Sequence, residues 1–342
     1  DTASFKPADI FAYAPGGGDP RLRAMWKEEM IKKNPSLEGK RFSLPIVTAG
    51  LTHGLSIIAM LFFQPGDTLV VPDLAWDNYE LIYVHQQGGE MVSFPLYDET
   101  GAFNVEAMVA TLRAIPSKRA RLLLNFPNNP TGYTPTKGDA QAIVDALVTL
   151  ADEGMELMVI SDDAYFGLFF EEETAKESLF SALCDAHKNI FAVKCDGATK
   201  EELVWGFRIG FVTYGSKELT DAHLDALNRR TLGIIRSTVS NCDKPGQSLL
   251  VEAMQNGKRY AADKQAVFSE MKKRYDVLRR ALKKHEGNDL LIPYPFNSGY
   301  FMCVKPVGVD AEALRQKLLK DYATGTIMLS GLIRLAFSAV PL

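Results

Sequence analysis

The sequence is poor in cysteine. Its 342 residues include four widely separated cysteines with no Cys-x-x-Cys pair and no histidine spacing typical of zinc: Cys184, Cys195, Cys242 and Cys303. This pattern argues against a metal centre and favours a reduced, cytoplasmic setting.

The sequence also lacks a surplus of positive charge and any long apolar run. Its 42 acidic residues outnumber its 38 basic ones, so there is no basic field of the kind that attracts nucleic acid or anionic membranes. The longest apolar stretch, GLSIIAMLFF at 54–63, is about half of the ~20 residues needed to span a bilayer, and the first residues lack the features of a signal peptide. We therefore expect a soluble protein whose partners are small molecules and protein chains, with no nucleic acid and no membrane.

What the sequence does contain is a regular alternation of strand-like and helix-like segments. Short runs rich in Val, Ile and Leu predict strands at 69–73, 91–96, 121–127, 156–163, 189–196 and 208–215. Helical spacing lies between them, at 52–63, 76–87, 104–114 and 136–151. This alternation is typical of an α/β fold with a mainly parallel central sheet covered by helices on both faces.

The pattern changes towards the C-terminus. Long charged helical segments, such as 263–286, are followed by strand-like pieces at 300–305 and 332–338. We expect an N-terminal segment over 1–35, a large domain over 36–262 and a smaller α+β domain over 263–342. Both ends look shortened.

Polar residues follow three consecutive predicted strands. Asn129 lies in NNPTG, Asp162 and Tyr165 in DDAY, and Lys200 in DGATK. Because ligands of such sheets bind at the carboxyl ends of the strands, we expect these side chains to meet at one rim.

The chain resembles the class I and II aminotransferases, which are fold-type I enzymes that use pyridoxal phosphate; the resemblance covers 13–334. It implies that Lys200 forms the Schiff base with the cofactor and carries the proton during transfer. It also implies that Asp162 keeps the pyridine nitrogen protonated, and that Tyr165 and Asn129 bond the ring 3-oxygen.

The resemblance also assigns residues to the cofactor's phosphate and ring. Arg208 matches the phosphate arginine, and the amides of Leu51 and Thr52, at a predicted helix start, point at the same group. Trp76 matches the aromatic residue that stacks on the ring.

One position departs from the family pattern. Gly197 stands where the family has a serine or threonine that donates to the phosphate, and Thr199 is the expected substitute. Two acids, Glu201 and Glu202, directly follow Lys200, and we interpret them as solvent-exposed.

Substrate recognition is expected to depend on arginines. By the resemblance, Arg334 in LIRLAFS binds the α-carboxylate of the amino acid with help from Asn129. Arg236 in IIRSTVSN either binds the distal carboxylate of aspartate or glutamate in the partner subunit's site, as the resemblance implies, or is a solvated or interface arginine. Tyr13, in a glycine-rich segment without the spacing of a nucleotide-binding loop, is expected to reach the phosphate across the subunit interface. Shared sites of this kind imply a homodimer.

These residues imply a ping-pong transfer of an amino group from an amino acid to a 2-oxo acid. The same constellation also serves a pyridoxal-phosphate-dependent lyase or decarboxylase, and an aminotransferase-like sensor domain of a transcriptional regulator is the alternative from another class. A Rossmann dehydrogenase is disfavoured because the glycines are misplaced.

Overall fold

The computed structural model describes residues 5–287 and 289–340. Its main element is a seven-stranded sheet with the order β1-β7-β6-β5-β4-β2-β3. The strands are β1 (Ile46–Ala49), β2 (Thr68–Pro72), β3 (Glu90–Phe94), β4 (Arg119–Asn125), β5 (Glu156–Asp162), β6 (Ile190–Asp196) and β7 (Ile209–Gly215).

The sheet is mainly parallel, as the sequence predicts. The pairs β2–β3, β2–β4, β4–β5 and β5–β6 are parallel, whereas β7 runs antiparallel to both β6 and β1. The Val-, Ile- and Leu-rich strands β5, β6 and β7 are almost completely buried because helices cover both faces.

The helices are divided between this sheet and a smaller C-terminal unit. They are α1 (Pro7–Ile10), α2 (Pro20–Lys33), α3 (Leu51–Phe62), α4 (Val105–Ala114), α5 (Lys137–Asp152), α6 (Leu179–Leu183), α7 (Ala198–Glu201), α8 (Asp221–Thr238), α9 (Lys244–Gln255), α10 (Gly257–Lys284) and α11 (Ala311–Tyr322). Short 3-10 turns lie at Pro35–Leu37, Trp205–Phe207 and Phe337–Ala339. Trp26 of α2 stacks on Phe211 of β7 with ring centroids 4.3 Å apart, which fixes α2 against the sheet.

One predicted helix differs in kind. Helical spacing predicts a helix over 76–87, but the chain forms a π-helix over Glu80–His85. Tyr79, which directly precedes this turn, and Tyr83 are both fully enclosed. Packing of the two aromatic rings into the core sets the local backbone here.

The second unit contains a smaller antiparallel sheet. Its order is β10-β11-β9-β8, formed by β8 (Leu291–Pro293), β9 (Met302–Pro306), β10 (Ile327–Leu329) and β11 (Leu332–Leu335). Together with α10 and α11 it gives the α+β arrangement expected for the C-terminal part. No helix among residues 5–287 and 289–340 combines the length and hydropathy that crossing a bilayer requires.

Candidate active site

A cavity of about 250 Å³ opens beside the carboxyl ends of β4, β5 and β6. All eight residues that the sequence assigns to a cofactor within one chain line it. The lining residues are Leu51, Thr52, Trp76, Tyr79, Asn125, Asn129, Asp162, Ala164, Tyr165, Thr199, Lys200 and Arg208.

Asp162 ends β5 at the floor of the cavity and is 3% exposed. The Tyr79 hydroxyl donates to its Oδ2 at 2.6 Å, and the Ala164 amide donates to its Oδ1 at 3.1 Å. Burial raises the pKa of Asp162 to about 6, and the Tyr79 hydrogen bond and the charge of Lys200 offset burial only in part. A positively charged ligand group in the cavity would favour the ionised carboxylate.

Lys200 lies in the four-residue helix α7, and its Nζ is 4.7 Å from the centre of the Tyr165 ring. Burial lowers the pKa of Lys200; Asp162 opposes this shift and the charge of Arg208 adds to it. A lowered pKa increases the fraction of neutral amine, which is the nucleophilic form.

Arg334 reaches the same rim from the second sheet. Its Nη1 donates to Asn129 Oδ1 at 2.8 Å, and its guanidinium lies 4.3 Å from the centre of the Phe301 ring. The Asn129 amide donates to Asn125 Oδ1 at 2.8 Å, and Asn125 Nδ2 donates to the Asp162 carbonyl at 2.8 Å. A continuous chain of hydrogen bonds therefore connects Arg334 to Asp162.

The turn that carries Asn129 is held by its own residues. Asn128 Oδ1 accepts hydrogen bonds from the amide and the hydroxyl of Thr131. Gly132 has φ +74°, and any Cβ there would collide with the Phe301 carbonyl. The NNPTG motif thus allows the second sheet to approach the cavity closely.

Arg208 lies beside the N-terminus of α3, at the other end of the cavity. A Cβ on Gly50, which has φ +82° and precedes α3, would be 2.5 Å from Arg208 Nη2. The first helical residues, Leu51 and Thr52, follow Gly50 and line the cavity. A helix N-terminus next to an arginine is an arrangement that binds anions.

The departure at Gly197 has a steric cause. A Cβ there would lie 2.6 Å from the Ile209 carbonyl oxygen and 2.7 Å from Gly210 Cα, so a serine or threonine would require the backbone to shift. Thr199 lines the cavity and donates its hydroxyl to Ile209 O at 3.2 Å. It lies two positions after Gly197 in the chain and is the expected substitute for the missing hydroxyl.

Tyr79 and Asn125 belong to the cavity, but sequence reasoning did not select them. Tyr79 follows Trp76 by three residues, and their rings meet edge to face at 5.6 Å. Asn125 is the polar end of the apolar run RLLLN, and this is the signal that could have identified it.

Tyr13 and Arg236 lie outside this cavity, on a common surface. Tyr13 is 87% exposed, and Arg236, near the end of α8, donates to Ser240 Oγ at 2.7 Å. Asn241 Oδ1 also accepts from Arg236, at 3.4 Å, while its Nδ2 donates to the carbonyl of Ala14 at 2.8 Å. The two residues expected to act in a partner subunit are thus linked through Asn241.

The expectation that Glu201 and Glu202 are solvent-exposed is wrong. Their side chains are 6% and 5% exposed, and Lys264 Nζ lies 3.2 Å from Glu201 Oε1 and 2.7 Å from Glu202 Oε1. Lys33 forms a further ion pair with Glu201.

A second group of buried charges lies at the ends of β5 and β6. Lys194 of β6 is 1% exposed, forms an ion pair with Asp163 and lies 3.4 Å from Asp196 Oδ2. The Trp26 indole donates to Asp196 Oδ2 at 3.2 Å. These contacts connect the ends of β5 and β6, which carry Asp162 and lead to Lys200.

The cavity residues fit pyridoxal phosphate. A buried carboxylate with a raised pKa suits a cationic ring nitrogen, and Arg208 with the start of α3 suits a phosphate. An amine with a lowered pKa, Lys200, suits an aldehyde.

Comparisons with known proteins agree with this geometry. A family model described as aminotransferase class I and II matches residues 7–341. A probable aspartate/prephenate aminotransferase of Aquifex aeolicus is 28% identical over 284 residues, which are 82% of this chain and 66% of that protein. The aspartate/prephenate aminotransferase of Thermus thermophilus is 27% identical over 309 residues, or 90% of this chain and 73% of that protein.

The comparison with solved structures agrees with the fold described above. A crystal structure of an aminotransferase from Anaerococcus prevotii superposes with a TM-score of 0.87 at 23% identity, covering 99% of this chain and 81% of that one. A tetra mutant of the aspartate aminotransferase of Thermus thermophilus superposes with a TM-score of 0.77 at 23% identity, covering 96% of this chain and 84% of that one. The chain belongs to the class I and II aminotransferase family.

Proposed function

We propose that the protein is a pyridoxal-phosphate-dependent aminotransferase. It transfers an amino group from an amino acid to a 2-oxo acid in two successive half-reactions. The observation that carries this proposal is that Lys200, Asp162 and Arg208 line one cavity beside the N-terminus of α3.

Different cavity residues would bind the phosphate and the ring of the cofactor. Arg208, Thr199 and the first amides of α3 would hold the phosphate, and Asp162 would pair with the ring nitrogen. Trp76 would contact the ring, and Asn129 and Tyr165 would hydrogen-bond its 3-oxygen. When bound, pyridoxal phosphate supplies an aldehyde that condenses with amines and a ring that withdraws electrons from the α-carbon.

Lys200 moves the proton. Its lowered pKa increases the fraction of neutral amine, and this amine accepts the proton from the substrate α-carbon. The resulting ammonium returns the proton within the same cavity, where Asp162 stabilises positive charge.

Arg334 and Asn129 orient the substrate. The guanidinium is already positioned by Asn129 and by the Phe301 ring, so little side-chain freedom is lost when a carboxylate binds. The α-carboxylate of the amino acid is the group that this arrangement recognises.

The preferred substrates are aspartate or glutamate, and the working unit is a homodimer. Arg236 is solvent-exposed and held by Ser240, and Asn241 links it to the segment that carries Tyr13. In a twofold dimer this surface supplies Arg236 to the side-chain carboxylate and Tyr13 to the phosphate of the partner's site.

Replacing Lys200 tests the reaction. The wild-type protein is incubated with pyridoxal phosphate and reduced with borohydride, and the peptide carrying Lys200 is weighed by mass spectrometry. Lys200→Ala should lose both the covalent label and all turnover of aspartate with 2-oxoglutarate, while Lys188→Ala, an exposed lysine, keeps both. Normal turnover by the Lys200→Ala variant, or release of carbon dioxide instead of a 2-oxo acid, would overturn the proposal.

A further inference from the structure

The segment that carries Lys200 is followed by two buried acids. Helix α7 ends at Glu201, and the side chains of Glu201 and Glu202 are 6% and 5% exposed. Carboxylates are seldom enclosed to this degree without charged partners.

The partners come from two helices that are distant in sequence. Lys33 ends α2, 168 residues before Glu201, and Lys264 lies in α10, 63 residues after it. We call Lys33, Glu201, Lys264 and Glu202 the charge clamp. Its formal charges balance, with two lysines and two glutamates.

The two glutamates of the clamp have pKa values shifted in opposite directions. Burial raises the pKa of Glu201, but Lys33 and Lys264 together outweigh burial and lower it. Burial and the charge of Glu201 raise the pKa of Glu202. Glu201 is therefore the anion on which both lysines converge.

The backbone around Lys200 is fixed from other directions as well. The Tyr300 hydroxyl donates to the Lys200 carbonyl at 2.9 Å, and Gly197 packs so closely on β7 that no Cβ fits there. With the clamp at Glu201 and Glu202, the segment over 197–202 is held at both ends and at Lys200 itself.

We infer that Lys33 and Lys264 are positioning residues, which hold the Lys200 amine inside the cavity by anchoring Glu201 and Glu202. The inference rests on the proposed function, in which Lys200 is the reacting amine. In this inference Glu201 and Glu202 hold α7 in place. A helix of only four residues has too few internal hydrogen bonds to be stable alone.

A role in stability alone explains the clamp less well than a role in positioning Lys200. Buried ion pairs lose much of their attraction to desolvation, and apolar residues of similar volume often serve stability as well or better. An apolar replacement would not provide ion pairs of fixed geometry at Glu201, the residue next to Lys200.

The test measures the pKa of the Lys200 amine in protein freed of cofactor. The pH dependence of acetylation by acetic anhydride is followed at the Lys200 peptide by mass spectrometry, alongside thermal unfolding. The variants are Lys264→Met, the charge-balanced pair Lys264→Met with Glu202→Gln, and the conservative Lys264→Arg. Arg121→Met is the control because it removes an ion pair of 2.7 Å to Asp67, whose side chains are 17% and 26% exposed, at a place remote in sequence from α7.

Because burial lowers the pKa of Lys200, a loosened segment should admit water and raise it. We expect a roughly tenfold smaller neutral fraction near neutral pH in both Lys264→Met variants, corresponding to about one pH unit. Lys264→Arg and Arg121→Met should match the wild type in this profile. A wild-type profile in the charge-balanced variant, whatever its melting temperature, overturns the inference.

The two proposals fail separately. If wild-type Lys200 does not capture pyridoxal phosphate, the proposed function is lost. The acetylation profile needs no cofactor and still decides whether the clamp sets the environment of Lys200.

Discussion

The Tyr79 hydroxyl lies 2.6 Å from Asp162 Oδ2, and both side chains are enclosed by the protein. Burial raises the pKa of this carboxyl from its usual value of 3.8 to about 6, with Tyr79 and Lys200 opposing the rise. The folded chain therefore favours the neutral form of Asp162. Ionisation of this carboxyl lowers the free energy of unfolding. Asp162 contributes stability that is present at low pH and is lost as the pH rises through about 6.

Asp162→Asn should remove this pH dependence. In cofactor-free protein we expect the variant to be more stable than the wild type by roughly 3 kcal/mol above about pH 7, with the difference vanishing towards about pH 4. Urea unfolding across this range measures it. The same variant should bind pyridoxal phosphate more weakly, while Asp77→Asn, at an exposed aspartate, should change neither. A stability difference that does not vary with pH would contradict the assignment.

Gly197→Ser should not restore the missing phosphate donor. The added Cβ meets the Ile209 carbonyl and Gly210 Cα, so we expect a loss of roughly 1–3 kcal/mol in the free energy of unfolding and weaker cofactor binding. Gly206→Ser, at a glycine with open space around its Cβ position, is the matched control. Improved cofactor binding by Gly197→Ser would show that the loop can accommodate the side chain after all.

Arg334→Lys keeps the positive charge but loses the planar fork that reaches Asn129. We expect kcat/KM for every amino acid tested to fall by roughly 10- to 100-fold, because one charge-assisted hydrogen bond to the carboxylate is lost. Steady-state kinetics with aspartate and with an apolar amino acid measure this. Arg315→Lys, on α11, should leave both values unchanged, and a loss confined to aspartate would assign Arg334 to the side chain instead.

Arg236→Leu tests side-chain recognition. If Arg236 serves the partner subunit's site, kcat/KM for aspartate should fall several-fold to a few hundred-fold, roughly 1–3 kcal/mol, while an apolar amino acid is spared. Arg230→Leu, an exposed arginine on the same helix, controls for general effects on α8. Equal losses on both substrates would remove Arg236 as the reader of a carboxylate.

Lys194→Met tests the buried charges at the ends of β5 and β6. Removal of the lysine leaves Asp163 and Asp196 without their cation, and we expect a loss of roughly 3–5 kcal/mol in the free energy of unfolding. Arg119→Met breaks an ion pair whose side chains are 73% and 57% exposed and should cost less than about 1 kcal/mol. Denaturant unfolding measures the loss in both variants. Similar losses would show that burial does not determine how much each ion pair contributes to the free energy of unfolding.

Six of the seven strands of the central sheet, β2 to β7, could be predicted from the sequence because each is a short run rich in apolar residues; β1 was not among the predicted strands. Asn129, Asp162 and Lys200 follow such runs, so their meeting at one rim also followed from the pattern. Tyr79 was missed because it precedes an irregular π-helix, where side-chain direction does not follow the 3.6-residue period. The burial of Glu201 could not be predicted, since its partners are 168 and 63 residues away and only the packing of α2 and α10 brings them together.

The antiparallel course of β7 has a consequence for the order in which the site forms. Because β6 and β7 pair as neighbours, one short connection places Lys200 and Arg208 together, and closing so small a loop costs little entropy. The contact between Arg334 and Asn129 joins residues 205 positions apart. We therefore expect Lys200 and Arg208 to come together early in folding, and the contact between Arg334 and Asn129 to form later.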